Sequence, residues 1–247
     1  MNPIVVIPAR LGATRLPAKP LADICGLPMI VRVLRQALAA DVGPVVVAAG
    51  ALEIVAVVER AGGRAVLTDP NLPSGSDRVH AALEIVDPEG RHDAVVNMQG
   101  DLPALDPAHI RSAVAALEQS GADIATLAAE ITDAGERANL SVVKAVVAWE
   151  QGGHLGRALY FTRLPAPAGD GPLFHHVGLY AFCRTALGRF VALAPSALER
   201  REKLEQLRAL EANMSIAVAR VDSVPLSVDT EEDLARARAF FENRSCR

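Results

Sequence analysis

The chain alternates short apolar runs with stretches of helical periodicity. "PIVVIP", Pro3–Pro8, is a β-branched run that reads as a buried strand. From Pro28 to Asp41 apolar residues recur at helical spacing, which predicts a helix with proline in its first turn. The alternation then repeats. A strand is expected over 44–50, a helix over 51–63 closed by Gly62 and Gly63, a strand over 65–67 and a helix starting near Ser76. A strand with a polar end follows over 93–101, then a helix capped by Asp106 and ended by Gly121. Strands alternating with helices indicate βαβ units around a mostly parallel sheet.

The second half changes character. Residues 140–150, 158–163 and 175–183 are strand-like, and Gly/Pro-rich connectors separate them; Pro165–Pro172 is the most loop-like stretch. Residues 198–213 predict one charged amphipathic helix, on which Glu199, Glu202 and Glu205 at i, i+3 spacing read as a mostly solvated face. A strand over 215–221 and a helix from about Thr230 complete the pattern. The expectation is a single α/β domain over 1–247, with an antiparallel excursion at about 140–185.

Composition narrows the function classes. With 247 residues, 51% of them hydrophobic, the chain can bury a full core. The net charge of −4 argues against a nucleic-acid partner, so any positive cluster is local. Cys25, Cys183 and Cys246 are odd in number and form no CxxC, which fits a reducing cytoplasm better than a disulfide framework or a zinc site. No run approaches the roughly 20 apolar residues that cross a bilayer, so no membrane role is expected.

Candidate chemistry gathers where strands end. Arg10, Arg15 and Lys19 share one short loop with Gly12 and several prolines, directly after the first strand. In open α/β sheets ligands bind beyond the carboxyl ends of the strands. Three cations held together repel unless an anion joins them, so the loop asks for a polyanion. It is neither GxxxxGK[ST] nor GxGxxG, and a plain basic surface loop is the competing reading. Asp101 in "NMQGDLP" sits at the same edge, where a carboxylate facing a triphosphate would hold Mg²⁺ or simply cap a turn. In "SVDTEEDL", Thr230 and Asp233 look like helix-start chemistry, which leaves Asp229 over as a second carboxylate. Ser74, Gly75 and Arg78 of "SGSDR" suit ribose or phosphate contact, and equally a simple helix start. His175 and His176 point to opposite faces of a strand and cannot share an ion, whereas His176 and Tyr180, four apart, share one face.

"IPARLGATRLPAKPL", "NMQGDLP", "ALYFTR", "HHVGLYAF", "LEQLR" and "SVDTEEDL" occur in this order along almost the whole chain. Together they resemble the 3-deoxy-manno-octulosonate (Kdo) cytidylyltransferases, the CMP-Kdo synthetases of the nucleotide-sugar transferase superfamily. The resemblance implies a Rossmann-like nucleotidyltransferase fold and transfer of CMP from CTP to the sugar acid Kdo for lipopolysaccharide or capsule synthesis. It implies that Arg10 and Lys19 neutralise the triphosphate, that Asp101 and Asp229 hold Mg²⁺, and that Arg15, Ser74, Gly75 and Arg78 face the nucleotide. Gln99, Arg163, His176, Tyr180 and Glu205 would surround the sugar acid, which makes Glu205 the exception within its charged helix. A homodimer is implied, with the antiparallel excursion at the interface. Four features depart from the family pattern: Leu102 follows Asp101 in place of Glu, Ala13 stands where serine is usual, the second strand ends Ala48-Ala49-Gly50 where "ATDD" is frequent, and the 164–174 connector is short. A related sugar acid as substrate, an amino-Kdo or a sialic acid, or a non-catalytic nucleotide binder, are the alternatives.

Overall fold

A run such as "PIVVIP" has no polar face, so as a strand it must be covered on both sides, the usual setting of a parallel sheet. The computed structural model, which describes residues 1–12 and 15–245, has this architecture; Ala13 and Cys246 lie outside the described residues. The chain divides into two units, one of residues 2–110 with 225–247 and one of residue 1 with 111–224.

In the first unit the chain runs β1 (Pro3–Ala9), a small hairpin of β2 (Asp23–Ile24) and β3 (Leu27–Pro28), α1 (Met29–Ala39), β4 (Val45–Ala49), α2 (Leu52–Arg60), β5 (Ala65–Leu67), α3 (Gly75–Val86) and β6 (Ala94–Met98). The strand order is β5-β4-β1-β6, and every pairing is parallel. Val5, Val6, Ile7, Val46, Val47, Val95 and Val96 are fully buried. The chain leaves β1 towards β4 on one side, while β6 adds on the other. The loops after β1 and β6 therefore part at this reversal of strand order and leave a crevice between them. Close approach there demands glycine: a Cβ on Gly100 would lie 2.7 Å from the Pro8 carbonyl oxygen. Helix α3 begins at Gly75, within one residue of the expected start. Its cap is Ser74, whose hydroxyl accepts from the Asp77 N–H at 3.2 Å. α4 (Pro107–Ser120) follows, with Asp106 accepting from the Ala108 N–H at 2.8 Å and Gly121 ending it at φ 62°.

In the second unit come β7 (Ile124–Glu130), α5 (Ala134–Ala138), β8 (Lys144–Trp149), β9 (Leu155–Thr162), β10 (Phe174–Cys183), α6 (Arg184–Ala192), α7 (Ala197–Glu202), α8 (Leu207–Glu211) and β11 (Ile216–Val221). The strand order is β10-β7-β11-β9-β8, and β10 also pairs with β8 through His175 and Lys144. The antiparallel excursion is present in β8, β9 and β10, with a parallel β7–β11 pair beside it. β7, between β10 and β11, has no counterpart in the expectations above. Its sequence, "IATLAAE", is rich in alanine, which is depleted in strands, and only its two neighbours select the extended form.

The helix expected over 198–213 is broken. α7 ends at Glu202, Lys203 adopts a left-handed φ of 57°, and α8 starts at Leu207. The reversal lets Leu204 and Leu207 both bury. It also removes the solvated acidic face. Glu199 accepts from the Arg208 guanidinium at 2.6 and 2.8 Å, and Glu202 accepts from the Thr162 hydroxyl at 2.9 Å and the Arg163 N–H at 3.1 Å. The final helix, α9 (Glu231–Ser245), returns the chain to the first unit.

Candidate active site

The crevice of the first unit holds a cavity of about 250 Å³. Arg10 and Lys19 from the loop after β1 line it, with Ser74, Gly75 and Arg78 from the start of α3 and Gln99 and Asp101 from the loop after β6. Three separate stretches singled out in the sequence thus meet at one place. They do so because parallel strands all end at the same edge.

Charge is arranged unevenly around this cavity. The Lys19 ammonium donates to Asp101 Oδ2 at 2.8 Å and to Asp229 Oδ1 at 2.9 Å. Burial alone pushes its pKa down, but the charges and hydrogen bonds of Asp101 and then Asp229 outweigh this and hold it above the ordinary value. Arg15 approaches the other oxygen of Asp229 at 3.4 Å. Arg10 makes no ion pair among the described residues, and its positive charge acts on Arg78. Burial, then the charge of Arg10, lowers the Arg78 pKa. Arg78 lines the cavity but spends its guanidinium on the segment after β5, donating to Thr68 Oγ1 at 2.6 Å and to the carbonyls of Asp69 and Pro70 at 2.9 and 3.2 Å. A Cβ on Gly50 would press on that guanidinium at 3.0 Å.

Asp229 is placed by the cap of α9. Asp233 accepts from the N–H groups of Asp229 and Thr230 at 3.0 and 2.9 Å, while its own N–H donates to Thr230 Oγ1 at 3.2 Å. The Val228 N–H donates to the Asp101 carbonyl at 2.9 Å, which ties the two acidic loops together. Burial tends to raise the Asp233 pKa. Arg236 and the two N–H groups overcome that and hold it down to about 2. A depressed carboxylate stabilises the fold above its unfolded pKa, about 3.9, and loses that contribution as the pH falls towards the folded value. The difference in melting temperature between wild type and Asp233→Asn should therefore be full near about pH 5 and shrink steadily towards about pH 2; thermal melts across that window measure it.

Mg²⁺ is held by hard oxygens, commonly one or two carboxylates completed by substrate phosphates. Asp101 and Asp229 fit that donor set, because both already converge on one cation, the Lys19 ammonium. Among the described residues no group of three or more His, Cys, Asp and Glu gathers into an all-protein cage.

The residues assigned to the sugar acid divide between the units. Gln99 belongs to the first, where its amide donates to Asn97 Oδ1 at 3.0 Å and Asn97 in turn reaches Ser76. Arg163, His176, Tyr180 and Glu205 belong to the second. There the rings of His176 and Tyr180 lie 5.5 Å apart, and the Tyr180 hydroxyl is pushed up by burial and then by the nearby charge of Glu205. Burial pushes His176 down to about 3, so its ring is neutral. His175 faces away and meets Glu136 at 3.3 Å, as alternation along a strand requires. The Arg163 guanidinium donates to main-chain carbonyls, those of Glu202 at 2.9 Å, Leu140 at 3.1 Å and Lys203 at 3.5 Å. Fully buried Lys144 donates to the carbonyls of Asn139, Val142 and Arg163 at 2.7, 2.8 and 3.2 Å. Sequence reasoning passed over Asn97, Thr126 and Lys144, where the available signal was a polar residue inside an apolar strand, and it read Glu202 as part of a solvated face although Glu202 accepts from Thr162 and the Arg163 N–H.

A family model described as cytidylyltransferase matches residues 4–216. A 3-deoxy-manno-octulosonate cytidylyltransferase of Rhodospirillum centenum is 65% identical over 99% of this chain and 95% of its own length. One of Parvibaculum lavamentivorans is 64% identical over 99% of this chain and 94% of its own length. A solved structure of CMP:2-keto-3-deoxy-manno-octonic acid synthetase complexed with CTP is 34% identical, covers 99% of this chain and 100% of its own, and superposes with a TM-score of 0.91. A 4-diphosphocytidyl-2C-methyl-D-erythritol synthase from Anaerococcus prevotii, at 11% identity and a TM-score of 0.65, shares the fold alone. With its cation loop, its paired aspartates and relatives of this identity over nearly its whole length, the chain belongs to the 3-deoxy-manno-octulosonate cytidylyltransferase family.

Proposed function

We propose that this chain transfers CMP from CTP to the anomeric hydroxyl of Kdo and releases pyrophosphate. The observation that carries the reading is Lys19, held between Asp101 and Asp229 beside a cavity at the strand ends, in a chain 65% identical to a 3-deoxy-manno-octulosonate cytidylyltransferase. In such a transfer the sugar oxygen bonds to the α-phosphorus as the bond to the pyrophosphate oxygen breaks. Positioning and charge neutralisation do most of the catalytic work. Arg10, with no internal carboxylate partner among the described residues, and Lys19 supply positive charge to the triphosphate; Arg15 adds to it at the nucleotide end. Ser74 and Gly75 bring a short-side-chain surface close to the nucleotide, and Arg78 keeps the 68–70 segment in place beside it. Mg²⁺ held by Asp101 and Asp229 would supply neutralisation of charge on the phosphates. Gln99, His176, Tyr180 and Glu205 recognise the sugar acid, and Arg163 holds the loops around Glu205 in place.

Pyrophosphate release in the presence of Mg²⁺, CTP and a panel of 2-keto sugar acids tests the reading. Release is expected with CTP and Kdo, and far less with ATP or UTP. Glu205→Gln and His176→Ala should raise the Kdo KM or lower kcat, with the CTP KM changed by less than about twofold. Equal turnover of all nucleotides, or a loss confined to CTP affinity, would reverse the assignment.

A homodimer forms part of the same proposal. β9 exposes Leu159, at 48%, and Leu140 and Leu164 stand exposed on either side of the β8–β9 pair in sequence. Covering them with a second copy is the simplest use of such a surface. Light scattering at micromolar concentration should give twice the 26.0 kDa chain mass; a monomer mass would refute it. Cys25 and Cys183 are free thiols, and no helix of the described residues is long and apolar enough to cross a membrane. Both facts are compatible with the cytoplasmic location proposed here.

A further inference from the structure

We propose that Thr126 is a positioning residue for sugar-acid recognition: its hydroxyl fixes His176 as the tautomer protonated on Nε2, and so presents Nδ1 as an acceptor for a substrate hydroxyl. The inference rests on the reading of His176 as a sugar-binding group.

Thr126 stands in the middle of β7 with no exposed surface. Its Oγ1 lies 2.8 Å from the Leu179 carbonyl, 3.1 Å from the Val177 carbonyl and 3.0 Å from His176 Nε2. A hydroxyl has one proton and two lone pairs, and a carbonyl oxygen can only accept. If the hydroxyl gave its proton to Nε2, two carbonyl oxygens would face its lone pairs at hydrogen-bond distance with no hydrogen between them. The proton therefore goes to the carbonyls, and the contact with Nε2 must be an N–H donated by the ring. The two carbonyls converge on one hydroxyl because the β10–β7 register shifts between Val177 and Ala181, which takes this part of β10 out of regular pairing.

A neutral imidazole carries one N–H. With Nε2 as donor, Nδ1 keeps its lone pair, and among the described residues Nδ1 has no hydrogen-bond partner. The residue is only 8% exposed. The ring is also held in place: Phe161 packs edge-on with centroids 4.8 Å apart, Tyr180 lies at 5.5 Å, and the His176 N–H of the main chain donates to the Val143 carbonyl at 2.8 Å. A neutral acceptor of this kind reads an O–H group. It has nothing to offer a carboxylate, so His176 would recognise a hydroxyl of the sugar acid and leave its carboxylate to other groups. Another part of the protein could select the same tautomer only by binding Nδ1, and no described residue does so.

Long-range ¹⁵N–¹H correlation spectra of histidine-labelled, ligand-free wild type assign the tautomer directly. The Nε2–H form is expected, and the Nδ1–H form would overturn the proposal. Thr126→Val removes the hydroxyl at nearly constant shape. It should release the tautomer preference and raise the sugar-acid KM about tenfold while leaving the CTP KM within about twofold, and Thr126→Ser should restore both. A Thr126→Val protein with the wild-type tautomer and wild-type sugar KM would also overturn it. If Thr126→Val does not fold, the wild-type spectrum decides alone. Failure of wild type to turn over any sugar acid would remove the enzymatic reading, and the ligand-free spectrum would still decide the Thr126–His176 assignment.

Discussion

Asp101→Asn and Asp229→Asn should each lower kcat for pyrophosphate release by about 10²- to 10³-fold, a loss of roughly 3–4 kcal/mol of transition-state stabilisation. An amide keeps the shape of the carboxylate and can still accept from Lys19, so the fold should survive. What it loses is the charge that holds Lys19 in place and would hold a metal ion beside the triphosphate. The two aspartates come from loops more than a hundred residues apart and meet on one ammonium at 2.8 and 2.9 Å, so each single change should cost nearly as much as the pair. Groups that act as one unit behave in this non-additive way. Melting temperatures close to wild type would confine the effect to chemistry. Activity within about twofold of wild type in either variant would show that its carboxylate holds no catalytic ion.

Arg208→Met should destabilise the protein by about 3 kcal/mol, the largest stability effect expected from one change outside the first unit. Arg208 and Glu199 are largely buried, at 10% and 13% side-chain exposure, and meet through two hydrogen bonds of 2.6 and 2.8 Å. The guanidinium also lies over the Phe190 ring at 5.3 Å. Methionine can keep much of that packing but leaves the Glu199 carboxylate without its partner in a poorly hydrated place. Hydrogen bonds from Arg208 first hold the Glu199 pKa below its usual value. The pair therefore stabilises the fold in full above the ordinary carboxylate pKa, and the contribution is lost as the pH falls from there towards and through the lowered folded value. Denaturant titration at neutral pH measures the effect, and adding Glu199→Gln to Arg208→Met should recover part of the loss. A single variant within about 0.5 kcal/mol of wild type would show that water solvates the carboxylate in the native state.

The acidic helix is where sequence and structure part most clearly. Glu199, Glu202 and Glu205 at i, i+3 spacing look like one wet face, since spacing alone carries no record of what lies across from it. The chain reverses at Lys203 instead. Glu199 and Glu202 are then used inward, one on Arg208 and one on Thr162 and the Arg163 N–H. β7 shows the same limit. Alanine-rich "IATLAAE" has weak strand preference, and its extended form comes from partners far away in sequence.

What the sequence by itself determined is the part governed by local rules. Continuous β-branched runs need cover on both faces, so β1, β4 and β6 were legible as buried parallel strands. A cation cluster directly after such a strand falls at the edge where parallel strands end, so the place of Arg10 and Lys19 beside the cavity was legible too, as were the Thr230–Asp233 cap and the spare carboxylate of Asp229. Tertiary structure alone decided who meets whom. It brought Asp101 and Asp229 onto Lys19, spent the guanidiniums of Arg78 and Arg163 on backbone carbonyls, and set the Thr126 hydroxyl between two carbonyls and His176. A side chain's partner depends on strand register and on where loops converge, and both are fixed by packing the whole chain, beyond the reach of any short window of sequence.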